Sequence, residues 1–408
     1  MHHRGSSKRA DSRYFGERRQ ILKKSAGMNM NILYFSPIDW LWLKQRPQYL
    51  AVQMAKKASV TFLCQKDWKG ASDLYKSLSP DEKQWYHKNT FISEGVRVVR
   101  MRLLPKERIF HPIRLFNMLV MRIKISRLNR RYNYETIILA YPPHLDYIPA
   151  KIRQKARLAY DCMDDYKSIL KFAEAFIMKE EERLLKCADY LVCSSETLQN
   201  LLTQLYKEIP AQRRVIHNGV DSDLFNIYEI AQHPVNLPYM EEDASKKVCY
   251  IGTIGEWFDF GALSDAAYEL GDTHFYLIGP VQSAAGTKEF ENRRNIHIIG
   301  KRPKSEVPHI LQKCDAAIMP FRICDTTMSV NPVKIYEYIS MGIPVVATEY
   351  GEMDQFRSQI FTYREGEFTE ALRKALAAPR PSDAEAYQYC LNNDWSKRAE
   401  ELNDFIKP

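Results

Sequence analysis

A chain of 408 residues, 45% apolar and 27% charged, has the makings of two ordinary cores, and domains of about 100–200 residues make two the natural count. No apolar run reaches the roughly 20 residues that a bilayer span requires. Eight cysteines without a Cys-x-x-Cys pair, several inside apolar runs such as residues 190–193, read as buried thiols of a reduced, cytoplasmic protein and argue against a disulfide scaffold or a zinc site. The net charge of +9 is concentrated: residues 1–27 carry eight Lys/Arg against two acidic residues, and residues 97–131 carry eleven against Glu107 alone. Such concentration points to an anionic surface as partner.

Residues 1–29 are polar, basic and aperiodic, with Met28 inside the stretch and Met30 just after it. They lack the apolar segment of a secretory signal and read as a disordered extension or the product of an upstream start codon. From residue 30 onward, apolar β-rich runs alternate with helix-length segments, the pattern of a parallel α/β sheet. Runs at 32–35, 60–63, 96–99, 136–139, 157–160 and 190–193 predict strands, and 215–216 closes the set. This defines a first Rossmann-like domain over 30–222.

Within it, residues 113–128 form a basic helix whose apolar arc is interrupted on a helical wheel by Arg114 and Arg122. The helix is either interfacial, with snorkelling basic side chains, or packed on the sheet with a basic rim. No nucleic-acid-binding module accompanies the charge, so no nucleic-acid partner is expected. Each Lys/Arg beside an anionic leaflet contributes roughly 1 kcal/mol, enough in sum for reversible peripheral binding. Asp39 follows the first strand, and Asp161, Asp164 and Asp165 cluster at the end of the fifth. A carboxylate so placed can deprotonate an acceptor hydroxyl; Asp164 and Asp165 are the candidates, with helix capping as the competing role for either.

Residues 223–245, with Pro234 and Pro238, read as a linker. A second set of strands at 248–251, 275–278, 296–299, 316–319 and 345–347 defines a second Rossmann-like domain over 246–381. These runs are continuously apolar, as expected when both sheet faces are covered. Residues 382–408 form a C-terminal helical segment, with Trp395, Ala399, Leu402 and Ile406 on one stripe. The fold class is therefore α/β, two tandem doubly wound domains, and the default ligand site is a cleft at the carboxyl ends of the strands.

The richest segment is 329–348. Asn331 suits an N-cap and Pro332 a first helical residue, while Gly342 and Pro344 end the helix before the next strand. A helix N-terminus attracts phosphate, and Lys334 and Glu337, three apart, share one face. A cation for a pyrophosphate and a carboxylate for ribose hydroxyls are what a nucleotide-sugar site needs; a salt-bridged pair on an exposed helix start is the plainer alternative. Gly252, Thr253 and Gly255 follow the first strand of this domain and allow backbone to approach a phosphate or sugar. This is not the Gly-x-Gly-x-x-Gly dinucleotide fingerprint.

The pattern Pro332-x-Lys334-x-x-Glu337-Tyr338-x-x-x-Gly342-x-Pro344-Val345-Val346 resembles the donor-site signature of GT-B-fold glycosyltransferases, in particular the family-4-like bacterial group. The segments 217–221, 251–255, 277–280, 299–303 and 315–321 match it in order. Arg46-Pro47-Gln48 and 160–165 are similar to the branch that makes teichuronic-acid-type and other cell-surface polysaccharides. The resemblance spans about residues 31–405. It implies a GT-B architecture whose C-terminal helix returns to the N-terminal, acceptor-binding domain. It also implies a donor site of Gly252, Thr253, Gly255, Lys301, Arg302, Pro320, Phe321, Ser329, Val330, Asn331, Lys334 and Glu337, with Lys301 and Arg302 against the nucleobase and Pro320-Phe321 as its wall. Ser329 departs from the broader family, which often carries a second Glu there; sugar identity and stereochemical outcome stay open. If configuration is retained, no dedicated base is needed.

The expected function is transfer of a sugar from a UDP-sugar or other nucleotide diphosphate sugar to a lipid-linked or polysaccharide acceptor, on the inner membrane face. No metal is expected, because the helix dipole, backbone N–H groups and Lys334 can neutralise the leaving pyrophosphate. The competing functions are a nucleotide-sugar epimerase or hydrolase and a non-catalytic assembly partner.

Overall fold

A computed structural model describes residues 30–66, 75, 78–107, 109–290 and 292–407; the basic stretch 1–29 lies outside the described residues. The strands are β1 (Asn31–Ser36), β2 (Ser59–Gln65), β3 (Thr90–Ser93), β4 (Val96–Met101), β5 (Thr136–Leu139), β6 (Arg157–Cys162), β7 (Tyr190–Cys193) and β8 (Gln212–Val215), then β9 (Lys246–Ile251), β10 (Thr273–Ile278), β11 (Ile296–Gly300), β12 (Ala316–Met319), β13 (Val345–Thr348) and β14 (Ile360–Tyr363). Among the described residues they form two sheets, ordered β3-β4-β2-β1-β5-β6-β7-β8 and β11-β10-β9-β12-β13-β14. Every pairing is parallel except β3 with β4.

The chain divides into two compact units. One takes the described residues up to Ser194, with Gln199–Ile216 and the residues from Ala399; the other takes Ser195–Leu198 and His217–Arg398. In the first unit β1 pairs with β2 on one side and β5 on the other, so Ile32 lies opposite both Val60 and Thr136. Helices α1 (Arg46–Met54), α2 (His111–Tyr132) and α3 (Glu174–Cys187) belong to it. The second sheet, renumbered from its own first strand, runs 3-2-1-4-5-6, the order of a dinucleotide-binding sheet, with its topological switch between β9 and β12. It carries helix α4 (Val333–Ser340) between β12 and β13. Helix α5 (Trp395–Phe405) is the last element, and Trp395, Ala399, Leu402 and Ile406 are all buried, as their spacing predicts.

Three features depart from the sequence reading. Strand β3 was not foreseen: it joins β4 through Glu94 and Gly95, both at positive φ (48° and 81°), a two-residue hairpin turn without the usual Asn-Gly signal. Edge strand β14 follows β13 and was not foreseen either. The expected linker 223–245 instead packs Phe225, Ile227, Ile230, Leu237 and Met240 into the core of the second unit, with a short helix at Ile227–Gln232. Ala386 and Cys390 from the C-terminal segment join the same core.

Candidate functional site

At the switch point of the second sheet, the carboxyl end of β9 passes into Gly252-Thr253 and that of β12 into Pro320-Phe321. The backbone there is crowded by design of its residues. A side chain on Gly252 would collide with Cε of Lys334, and one on Gly279, after β10, would collide with the Gly252 carbonyl. Gly252 N–H donates to the Ile278 carbonyl (2.8 Å), so the two strand ends are laced together. Only glycine permits this approach. Lys334 thus lies directly over Gly252, with its ammonium 6.0 Å from the Tyr250 ring. The Tyr250 hydroxyl donates to the Thr253 carbonyl (2.8 Å), and Gly255 sits beneath the Trp257 indole.

Helix α4 starts at Val333, capped by Pro332 without a side-chain bond. Asn331 is therefore not the N-cap. Its Oδ1 accepts from the Asn218 N–H (2.8 Å) and the Tyr336 hydroxyl (3.2 Å), and its carbonyl accepts from Asn218 Nδ2 (2.6 Å). It is drawn away from the helix by the 217–221 loop, a contact between residues 113 apart that no local pattern announces. The preceding carbonyls are pinned as well: Ser329 accepts from Ser195 Oγ (2.7 Å) and Val330 from the Tyr350 hydroxyl (3.1 Å). Segment 329–331 thus enters α4 along a fixed path, with Ser329 and Asn331 buried.

Glu337 is buried, and its carboxylate pairs with Lys304, not with Lys334. This corrects the reading of 334 and 337 as a pair on an exposed helix start. Lys304 comes from the turn after β11 and also stands 5.5 Å from the Phe225 ring. Burial pulls the Lys334 ammonium below its ordinary pKa; the Glu337 carboxylate opposes that shift and the Lys304 charge adds to it. The result is two cations around one carboxylate, a locally positive cluster that a diphosphate would complement. Tyr338, next on the helix, accepts from the Ile251 N–H (2.9 Å) and so fastens α4 to the end of β9. Lys304 escaped the sequence reading, because it meets Glu337 across 33 positions; Tyr338 stood in the donor-site signature, but its bond to the end of β9 was not legible there.

The remaining candidates divide. Arg302 lies half-buried with its guanidinium 4.0 Å from the Tyr239 ring, while Lys301 is exposed. Pro320 and Phe321 are buried, and Phe321 belongs to the core, its ring edge-on to Tyr250 at 6.2 Å. Simple packing accounts for its position. The chain's one Asp-x-Asp spacing, Asp221-Ser222-Asp223, forms a turn whose Asp221 carbonyl accepts from Leu224 and Phe225.

In the first unit the strand-end carboxylates prove unequal. Asp39 receives a two-pronged bond from Arg100 (2.7 Å each). Asp161 lies within β6, fully buried, and binds Arg46 through Nε (3.0 Å) and Nη2 (2.9 Å) and the Tyr34 hydroxyl. Asp165 accepts from Ser168 Oγ (2.5 Å) and Lys167 Nζ (3.2 Å), so it serves the short helix Tyr166–Ile169. Asp164 takes no side-chain hydrogen bond from any described residue. Burial raises its carboxyl to about 7; the Arg46 charge works against this, and the charges of Asp161 and Asp165 add to it. A half-buried carboxyl poised near neutrality is what a general base requires.

Two families match the chain in series: residues 49–224 match the family described as Glycosyltransferase Family 4, and residues 245–378 that described as Glycosyl transferases group 1. A protein named as a teichuronic acid biosynthesis glycosyltransferase, TuaH, from Bacillus subtilis is 27% identical over 238 residues, covering 54% of this chain and 58% of that one. The chain thus spans under two thirds of that relative. Sucrose-phosphate synthase from Thermosynechococcus elongatus superposes with a TM-score of 0.69 at 14% identity, covering 92% of this chain and 98% of that one. HepE from Anabaena, solved with UDP and glucose, gives 0.63 at 16% identity over 93% and 99%.

Proposed function

We propose that this chain, which matches two glycosyltransferase families in series and has a GT-B fold, moves a sugar from a nucleotide diphosphate donor, of the UDP-sugar class, to a lipid-linked or polysaccharide acceptor in cell-surface glycan synthesis. The observation that carries the donor assignment is the cluster of Lys304, Glu337 and Lys334 over Gly252 at the switch point of the second sheet. Lys334 and the N-terminus of α4 neutralise the diphosphate, and Glu337 accepts from the ribose hydroxyls. UDP and glucose in the HepE structure support this donor class. Cytoplasmic work at the inner membrane face accords with a lipid-side acceptor, and no helix among the described residues is long and apolar enough to cross a membrane.

In the transfer step the acceptor oxygen bonds to the anomeric carbon while the bond from that carbon to the β-phosphate oxygen breaks. The nucleotide diphosphate departs with the electron pair, and the hydroxyl proton passes to the Asp164 carboxylate if the configuration inverts. Lys334 and α4 supply the positive charge that a divalent ion would otherwise provide at the leaving group. The test is incubation with a panel of radiolabelled nucleotide sugars and bacterial membranes, with and without EDTA. Label in lipid or polysaccharide, unaffected by EDTA, is the expected result. An altered or hydrolysed free donor would move the chain to an epimerase or hydrolase, and abolition by EDTA with rescue by Mn²⁺ would overturn the metal-free reading.

A further inference from the structure

Helix α2 has two apolar sides, and only one of them is covered. Asn117, Met121 and Ile125 are buried and mark the inward side, which packs near the turn at Pro142–Tyr147. Leu115, Phe116, Leu119 and Ile123 fall in a different arc, about 100° wide at 3.6 residues per turn, and each is 44–58% exposed. Ile109 and Phe110, just before the helix, are exposed too. Ile109 shares a shallow cavity of about 470 Å³ with Lys171, Phe172 and Phe176, and Phe172 is 73% exposed. Toward the C-terminal end the same outward arc continues onto Arg127 and Arg130, both exposed.

The arginines that break the apolar arc on a wheel are turned inward in the structure. Arg114 pairs with Asp146 and with Glu180 (2.9 Å), and Arg122 Nε donates to the Asp146 carbonyl (2.9 Å). Arg97 and Arg100 of the same basic stretch are internal as well, on Thr61 and Asp39. The outward face is therefore sorted along its length, apolar first and cationic after, which neither sequence spacing nor net charge reveals.

We propose that this face of α2 is a docking surface for an anionic phospholipid bilayer, the four apolar chains entering the acyl boundary and Arg127 and Arg130 meeting headgroup phosphates. A nucleic-acid backbone would complement the arginines and leave the apolar chains without a partner. A bilayer interface complements both halves at once, with apolar contact below the headgroups and negative charge at their level. The proposal rests on the lipid-side reading of the acceptor for its purpose, while its test does not depend on transfer.

The full chain is sedimented with phosphatidylglycerol and with phosphatidylcholine vesicles at low salt. Wild type is expected to bind the anionic vesicles preferentially. The double substitution Leu119→Glu, Ile123→Glu is expected to lower that binding at least tenfold, and Arg127→Glu, Arg130→Glu to reduce it to the neutral-vesicle level. All four positions are solvent-facing, so calorimetric UDP binding by both variants should match wild type. Loss of vesicle binding with UDP affinity intact therefore supports the surface, whatever the fate of the donor reading. Wild-type vesicle binding by the Leu119→Glu, Ile123→Glu variant would overturn the proposal, as would equal binding to neutral vesicles. Two further results would reassign the face: a dimer that this variant splits, with no vesicle binding, or duplex DNA binding lost in the arginine variant alone.

Discussion

A lysine three residues before a glutamate on one helix is ordinarily its partner, yet Glu337 is held by Lys304 from a separate turn, and Lys334 sits where burial disfavours its charge. The two residues should therefore respond differently to replacement. Lys334→Met removes a desolvated cation and is expected to leave the melting temperature at or above wild type, while UDP affinity falls at least tenfold, about 1.4 kcal/mol. Glu337→Ala strands Lys304 beside a cavity and should lower both. Calorimetry and thermal melts on the two variants decide it; a Lys334→Met protein that melts early and binds UDP normally would contradict the assignment. Asp164 offers a second contrast. Its carboxyl is raised to about 7 from an ordinary value near 4, so the native state holds a proton that the unfolded chain has released. Its contribution to stability is intact below pH 4 and is lost as pH rises towards 7. Asp164→Asn should accordingly melt a few degrees higher than wild type at pH 8 and no higher at pH 4. If the configuration inverts, the same variant should abolish transfer, and wild-type transfer should rise through pH 7 as the base ionises. The residue types at these sites were legible from strand ends and motif spacing. Which carboxylate was engaged was not, because Asp39, Asp161 and Asp165 are claimed by partners whose identity only the tertiary structure reveals.

At the scale of elements, the charged network under β6 illustrates the same limit. Arg46 on α1 binds Asp161 on β6 and, through Nη1, the Ile216 carbonyl (2.7 Å), so one side chain ties a helix, a strand and the segment after β8. Arginine can do this because its planar fork reaches two acceptors at once. Arg46→Leu leaves a fully buried carboxylate with the Tyr34 hydroxyl and no cation, and is expected to cost about 3–5 kcal/mol; urea denaturation measures it, and a loss under 1 kcal/mol would mean that the pair is worth no more than a surface contact. The strands themselves were readable because parallel pairing buries both faces and leaves unbroken apolar runs. Strand β3 was not, since its turn is Glu-Gly, and helix α4 began two residues after Asn331 because a distant loop claims the capping side chain. The apolar arc of α2 was hidden by Arg114 and Arg122, which count against it on a wheel and point elsewhere in space.

For the whole molecule, the alternation of strand and helix lengths was enough to yield two doubly wound units, because parallel strands need crossovers and crossovers are right-handed. The second sheet's 3-2-1-4-5-6 order, and with it the switch point, follows from that rule only once the pairings are known. Connectivity holds a further consequence. The first unit is not contiguous: it is completed by residues from Ala399 onward, where Leu402 and Ile406 are buried, Phe405 lies edge-on to Tyr190 at 5.3 Å, and Glu400 reaches Lys57 (2.7 Å). On the ribosome, β1 to β8 emerge long before that closing piece exists. The half of the protein that is translated first is the half that is finished last, and it must wait with an open seam while residues His217–Arg398 of the other unit are made.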